Sequence, residues 1–158
     1  MKKIITYLLV WLVATIAALV VHHVWEMPAY YLDNVLFVQC SLVGVIGGVF
    51  YCLRAVYVNK CVRKQWDKDW ETWYYLRHIT SAISGLVSCI FLKAGLLALQ
   101  ADVQPDAVAF GYLAVAFVAG YNVDNFAKKI EEVASSVWGI KKSRASGSVE
   151  NQDGEVGQ

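Results

Sequence analysis

The sequence predicts an all-α integral membrane protein: a four-helix bundle with cytoplasmic helical extensions and a disordered C-terminal tail. Three observations lead there. Apolar residues greatly outnumber charges, four apolar stretches are long enough to cross a bilayer, and two of the three connections between them contain no basic residue. Of the 158 residues, 58% are hydrophobic and 17% charged, where soluble domains have about half and about a quarter. The length suits one domain, expected over residues 1–142 with a tail at 143–158. A net charge of +1 points to no particular partner, and nothing in it indicates DNA binding.

The first stretch, residues 4–21, has no charge, and its polar interruptions are two threonines. The second, 35–53, is apolar apart from Gln39 and Ser41. The third, 79–99, holds Thr80, Ser81, Ser84, Ser88 and one charge, Lys93. The fourth, 107–123, has Asn122 as its one polar side chain besides tyrosine. A helix rises about 1.5 Å per residue, so roughly 17–25 residues cross a hydrocarbon core about 30 Å thick. Strands of this length would need a closed barrel, and helices are the simpler reading. Met1-Lys2-Lys3 before an apolar run also opens a secretory signal. Signal cores run only about 7–15 residues, which makes an uncleaved first span the expectation.

Charge placement orients the spans. Lys2 and Lys3 precede the first. Arg54, Lys60, Arg63, Lys64, Lys68 and Arg77 lie between the second and third, and Lys128, Lys129, Lys141, Lys142 and Arg144 follow the fourth. The other connections, 22–34 and 100–106, carry Glu26, Asp33, Asp102 and Asp106 instead. Basic residues favour the cytoplasmic side of short loops. A multi-pass protein of the bacterial inner membrane, with both termini cytoplasmic, is therefore expected.

Small residues recur four apart within the spans: Gly44 with Gly48, Ser81 with Gly85, Ala107 with Gly111, and Ala116 with Gly120. Such faces let backbones approach closely where lipid removes the hydrophobic drive between helices. They fit packing inside one bundle and association into a homo-oligomer equally well. Lys93 is an intramembrane charge, costing roughly 2.5–3.5 kcal/mol at a span centre. It can snorkel outward from six residues before the span's end, or line a path between spans or subunits, with Gln39 a possible partner. His78, beside Arg77, is expected on the polar rim.

The cytoplasmic parts carry two apolar stripes. Trp66, Trp70 and Trp73 are helically spaced on a stretch expected to be a helix running into the third span, and Phe126, Ile130, Val133 and Val137 follow the fourth. This second segment is expected to continue the fourth helix as far as Gly139, which offers a stop. Trp66, Trp70, Trp73, Phe126 and Ile130 are docking candidates for a soluble protein or ribonucleoprotein. The plainer reading is that the stripes pack on each other or on lipid headgroups.

No catalytic constellation, phosphate loop, cofactor motif or metal motif is evident. His22 and Glu26 are four apart but lack further ligands, and the four cysteines match no zinc spacing or disulfide framework. The expectation is a protein without enzymatic activity, cofactor or metal. Gly120-Tyr121-Asn122-Val123-Asp124-Asn125-Phe126, leading into Lys128-Lys129-Ile130-Glu131-Glu132, resembles the last helix of small bacterial inner-membrane proteins. With the size and spans, it is similar to the transmembrane effectors encoded beside retron reverse transcriptases and other phage-defence cassettes. That resemblance covers about the last third of the chain. It implies an antiviral, abortive-infection role in which the protein, released from control, disrupts or permeabilises the membrane. A non-toxic scaffold or accessory subunit that recruits a soluble complex is the alternative, followed by a small channel or transporter.

The topology has a direct test. Reporters fused after Asn34 and Ala101 should be active only as periplasmic enzymes, and those after Lys64 and Gln158 only as cytoplasmic fluorophores. A periplasmic signal from Gln158 would overturn it.

Overall fold

A computed structural model of the chain describes residues 2–24, 34–64, 70–95 and 105–140, and every regular element among them is helical. In chain order these are α1 (Lys2–Val24), α2 (Val35–Tyr57), a π-helical turn (Val58–Val62), α3 (Glu71–Lys93), α4 (Pro105–Tyr121) and α5 (Val123–Trp138). Among the described residues, α1, the α2 segment with its π turn, and α3 are long and apolar enough to cross a membrane. The fourth apolar helix is shorter, 17 residues from Pro105. The expected residues Trp66 and Glu26, part of each connection and the tail at 143–158 lie outside the described residues.

Helix α3 runs over Glu71–Lys93: it begins within the helix expected to lead into the third span, and it ends before the apolar stretch 79–99 does. Its start follows from the aromatic run after Trp70, whose carbonyl accepts from the Tyr74 N–H at 3.3 Å. Its end follows from Gly95, which adopts φ +71° and donates to the Leu92 carbonyl at 3.0 Å. Glycine takes that left-handed conformation without a Cβ clash and so terminates helices. Lys93 is therefore the last residue of α3, where a cation also complements the helix C-terminal dipole. Apolarity could not locate this end, because residues 96–99 are as apolar as those before them.

The second difference is a break between α4 and α5 at Asn122. It coincides with an outside claim on the backbone just before it: Arg77 Nη2 donates to the Tyr121 carbonyl at 3.1 Å. The chain divides into two compact units, Met1–Val123 and Asp124–Gln158. In the second, α5 separates an apolar stripe from its charges, and Lys129 pairs with Glu132 one turn later at 3.0 Å. Its end is capped by Gly139 at φ +66°, which donates to Ser135.

Within the first unit, α2 packs against α1, α3 and α4, and α3 also packs against α4. Between α2, α3 and α4 the contact is backbone to backbone. A Cβ on Gly44 would lie 2.5 Å from the Ser81 carbonyl oxygen and 2.9 Å from Gly85 Cα. One on Gly120 would collide with the Gly44 carbonyl, and one on Gly47 with the Phe117 carbonyl. Gly48 faces the Ser81 hydroxyl, which donates to the Gly120 carbonyl at 3.0 Å. Ser41 adds a 3.3 Å bond to the Ala82 carbonyl. Interhelical bonds of this kind are worth about 0.6 kcal/mol each in a membrane. The close approach that accompanies them adds dispersion contacts along the whole seam.

The first helix is held differently. Ile4 and Leu8, one turn apart, are buried among Val45, Val49, Cys52 and Val56 of α2 and Tyr74 of α3. Most of its remaining surface is bare: Val10, Val13, Val20 and Val24 are all well exposed. Exposed apolar area on this scale needs a nonpolar surrounding, and a membrane location supplies one.

Gly120→Ala tests the seam. Overpacking typically costs about 1–3 kcal/mol, so the purified variant should melt well below wild type in detergent, while Val118→Ala, at an exposed position on the same helix, should not. Equal melting of all three proteins would refute the close approach.

Candidate functional site

The densest set of polar interactions lies where α2 and α4 end and α3 begins. Trp73 and Arg77 are four apart on α3 and share a face. The Arg77 side chain is almost fully buried, 3% exposed. Its guanidinium carbon lies 4.6 Å from the Tyr51 ring centroid on α2 and 4.9 Å from that of Trp73. Beyond these rings it donates to the Tyr121 carbonyl on α4. Arg54, three residues after Tyr51, donates from Nη1 to the Tyr121 hydroxyl at 2.7 Å. Tyr121 thus accepts from both arginines, one at each end of the residue. Its ring meets Tyr51 edge-on at 5.5 Å and stacks on Phe117 at 6.3 Å.

This cluster ties three helix ends through one cation. A desolvated cation over an aromatic face is worth up to about 2 kcal/mol, and a hydrogen bond from a charged donor about 1.5–3 kcal/mol. Arginine suits the role because its planar, weakly hydrated group can stack and donate at once.

His78 is not on a polar rim. It is 2% exposed, stacked on Trp11 at 5.5 Å with an interplanar angle of 25°. The Tyr7 ring meets it edge-on at 5.2 Å. Tyr7 and Trp11 are one turn apart on α1, and that helix covers the face of α3 that a sequence read span by span leaves to solvent.

The other expected residues are dispersed. Gly44, Gly48, Ser81, Gly85 and Gly120 are buried in the seam between α2, α3 and α4 of a single chain, while Gly111 is half-buried on α4. Lys93 is exposed at the opposite end of α3, its Nζ 4.2 Å from the Phe37 ring centroid. Trp70 precedes α3 and is exposed, and Trp73 is half-buried on it. Phe126 and Ile130 are half-buried on α5, followed by exposed Val137 and Trp138. Cys40, Cys52 and Cys89 are buried free thiols and Cys61 is an exposed one. Among the described residues no group of three His, Cys, Asp or Glu side chains is placed to hold a metal ion.

Beside the Arg77 cluster, between the end of α2 and the start of α3, opens a cleft of about 960 Å³. Tyr51, Trp70, Trp73 and Tyr74 give it aromatic walls, and Arg54, Arg63 and Lys64 make it basic. The π turn Val58–Val62 forms part of its border, and Lys64 holds a left-handed backbone at φ 53°. Compared with known protein families, with curated proteins and with solved structures, the chain has no match.

Two residues central to this region were not singled out in the sequence. Gly47 falls outside the four-residue spacing of Gly44 and Gly48, yet meets α4 directly. Arg77 reads as one more cytoplasmic cation until α4 is placed beside it. The signal that could have found it is its spacing of four from Trp73, which marks a stacked pair on one helix face.

Arg77→Lys keeps the charge and removes the planar donor. It should lower stability in detergent by about 2 kcal/mol, the scale of a desolvated cation–π contact, read as a reduced melting temperature. A variant melting with wild type would show that the tie does not hold the helix ends.

Proposed function

We propose that this chain is a four-span, inner-membrane effector of an antiviral, abortive-infection defence system, with both termini in the cytoplasm. It disrupts or permeabilises the membrane when released from a cytoplasmic protein or ribonucleoprotein regulator, acts as a homo-oligomer and catalyses no reaction. The observation that carries this reading is the Arg77 tie, in which one buried cation joins the ends of α2, α3 and α4. Such a contact is discrete, and an element of this kind could be biased by a regulator between a formed and a released state. Its release would expose a guanidinium, a backbone carbonyl and several aromatic rings at one end of the helices, and polar groups at membrane depth draw water. The biological setting is taken from the resemblance of residues 120–132 to defence-cassette effectors read in the sequence, and is part of the proposal.

The scaffold reading draws on α5, whose Val137 and Trp138 are exposed and could receive a soluble partner. The two readings separate on membrane potential and dye entry soon after mild induction of the chain without its neighbouring genes. The effector reading expects rapid depolarisation, hastened by Arg77→Lys, which loosens the tie. It expects Lys93→Met, which removes a charge available to an aqueous path, to blunt the effect at matched membrane levels. Opposite effects of the two variants exclude the general toxicity of overproduction. Intact potential in cells holding ample inserted protein, with no partner or trigger able to change it, would favour the scaffold.

A further inference from the structure

The cleft beside Trp70 shares the Tyr51 and Trp73 rings with the Arg77 tie, but Arg77 itself is not among its lining residues and its own chemistry is specific. We propose that it is a binding site for a phosphate ester, either the headgroup of an anionic phospholipid or a soluble phosphorylated compound. Three cationic side chains line it, Arg54, Arg63 and Lys64, with the neutral donor Asn59 among them. Among the described residues that line it, none is Asp or Glu. Guanidinium groups recognise phosphate oxygens through paired, charge-assisted hydrogen bonds, and a lysine adds a point charge. Arg54 spends one nitrogen on the Tyr121 hydroxyl, which fixes the direction from which its guanidinium borders the cleft.

The backbone around the cleft is equally distinctive. Arg63 and Lys64 follow directly on the π-helical turn, and the Arg63 N–H still donates to the Val58 carbonyl at 2.9 Å, five residues back. This wider turn shifts the register of the two cations relative to an α-helical continuation. Lys64 then takes a left-handed conformation that a residue with a Cβ rarely adopts. Local irregularities of both kinds concentrate at functional sites, and here one ends just before Arg63 and the other is at Lys64.

Size and depth narrow the ligand. A volume of about 960 Å³ is at the upper end of small-molecule pockets, roughly 300–1,000 Å³, and far exceeds inorganic phosphate. It leaves room for a glycerol or nucleoside moiety against the rings of Trp70 and Trp73. Those rings stand where two membrane-length helices begin and end, and tryptophan favours the interface between headgroups and hydrocarbon. Basic pockets between helices at that level suit anionic headgroups, which makes the lipid the first source to test.

The experiment uses the full chain in nanodiscs and does not depend on the effector reading, because it reads binding without any cell. Thermal stability is compared in phosphatidylcholine discs, in discs of phosphatidylcholine with phosphatidylglycerol, and in phosphatidylcholine discs with ATP in solution. Wild type is set beside R63Q/K64Q, both exposed positions, and beside K128Q/K129Q, which removes the same charge from α5. A rise of several degrees with phosphatidylglycerol, lost in R63Q/K64Q and kept in K128Q/K129Q, supports a lipid headgroup. The same pattern with ATP supports a soluble phosphate ester. In either case the apparent affinity should fall by at least about tenfold in R63Q/K64Q, as expected for losing two charged contacts. No rise with either probe, a rise that R63Q/K64Q retains, or one that both double variants lose equally would overturn the site.

Discussion

Gly44 is where the backbones of three helices meet. Gly85 of α3 and Gly120 of α4 both reach it, the second directly at its carbonyl. A methyl group at any of the three would push two helices apart, so their spacing is set by the absence of side chains and not by interdigitation. In lipid that matters more than in water, because burying a leucine between helices gains little over leaving it among acyl chains. The hydrogen bonds between α2, α3 and α4 depend on this spacing. The Ser81 hydroxyl reaches the Gly120 carbonyl only because α3 and α4 stand so close, and one turn further along Arg77 reaches Tyr121 for the same reason.

That dependence explains which parts of the molecule were legible in the sequence. Helical class and membrane-length apolar stretches followed from composition and charge spacing, since both reflect local or one-dimensional constraints. The small faces at Gly44 and Gly85 could be read as close-packing surfaces, but spacing alone could not say whether the partner was another helix of the same chain. The end of α3 was misplaced because apolarity continues past Gly95, and the positive φ that stops the helix is a property of conformation. His78 was misjudged for a related reason: a histidine beside an arginine looks solvated until Trp11 and Tyr7 arrive from α1. Trp66, read as part of the same stripe as Trp70, lies outside the described residues.

Arg77 shows how a cation can be stable inside such a structure. Moving a charge from water is costly unless its donors are satisfied and its surroundings are polarisable. The Tyr51 and Trp73 rings present their electron-rich faces, and the Tyr121 carbonyl, near the exposed end of the α4 dipole, accepts one of its N–H groups. A neutral side chain of the same size would lose these contacts, and a lysine could satisfy only one of them well. The burial of this arginine is thus a consequence of where α4 ends.

The two ends of α3 are built on opposite principles, and the contrast bears on how the bundle can move. At Arg77 the cation is enclosed, and through it α3 is bound to α2 and α4 by stacking and hydrogen bonding at once. At Lys93 the cation is exposed and rests over Phe37 of α2, a contact worth about 0.5–1 kcal/mol at such a site. Between them lies the glycine seam, whose contacts run through the backbone and resist gradual deformation. A rearrangement of the helices is therefore least costly if it leaves the seam in place and begins at one end. The Lys93 end yields readily but changes little, whereas the Arg77 end yields only against a substantial opposing free energy. An element meant to stay shut until a second molecule intervenes requires the latter kind of end.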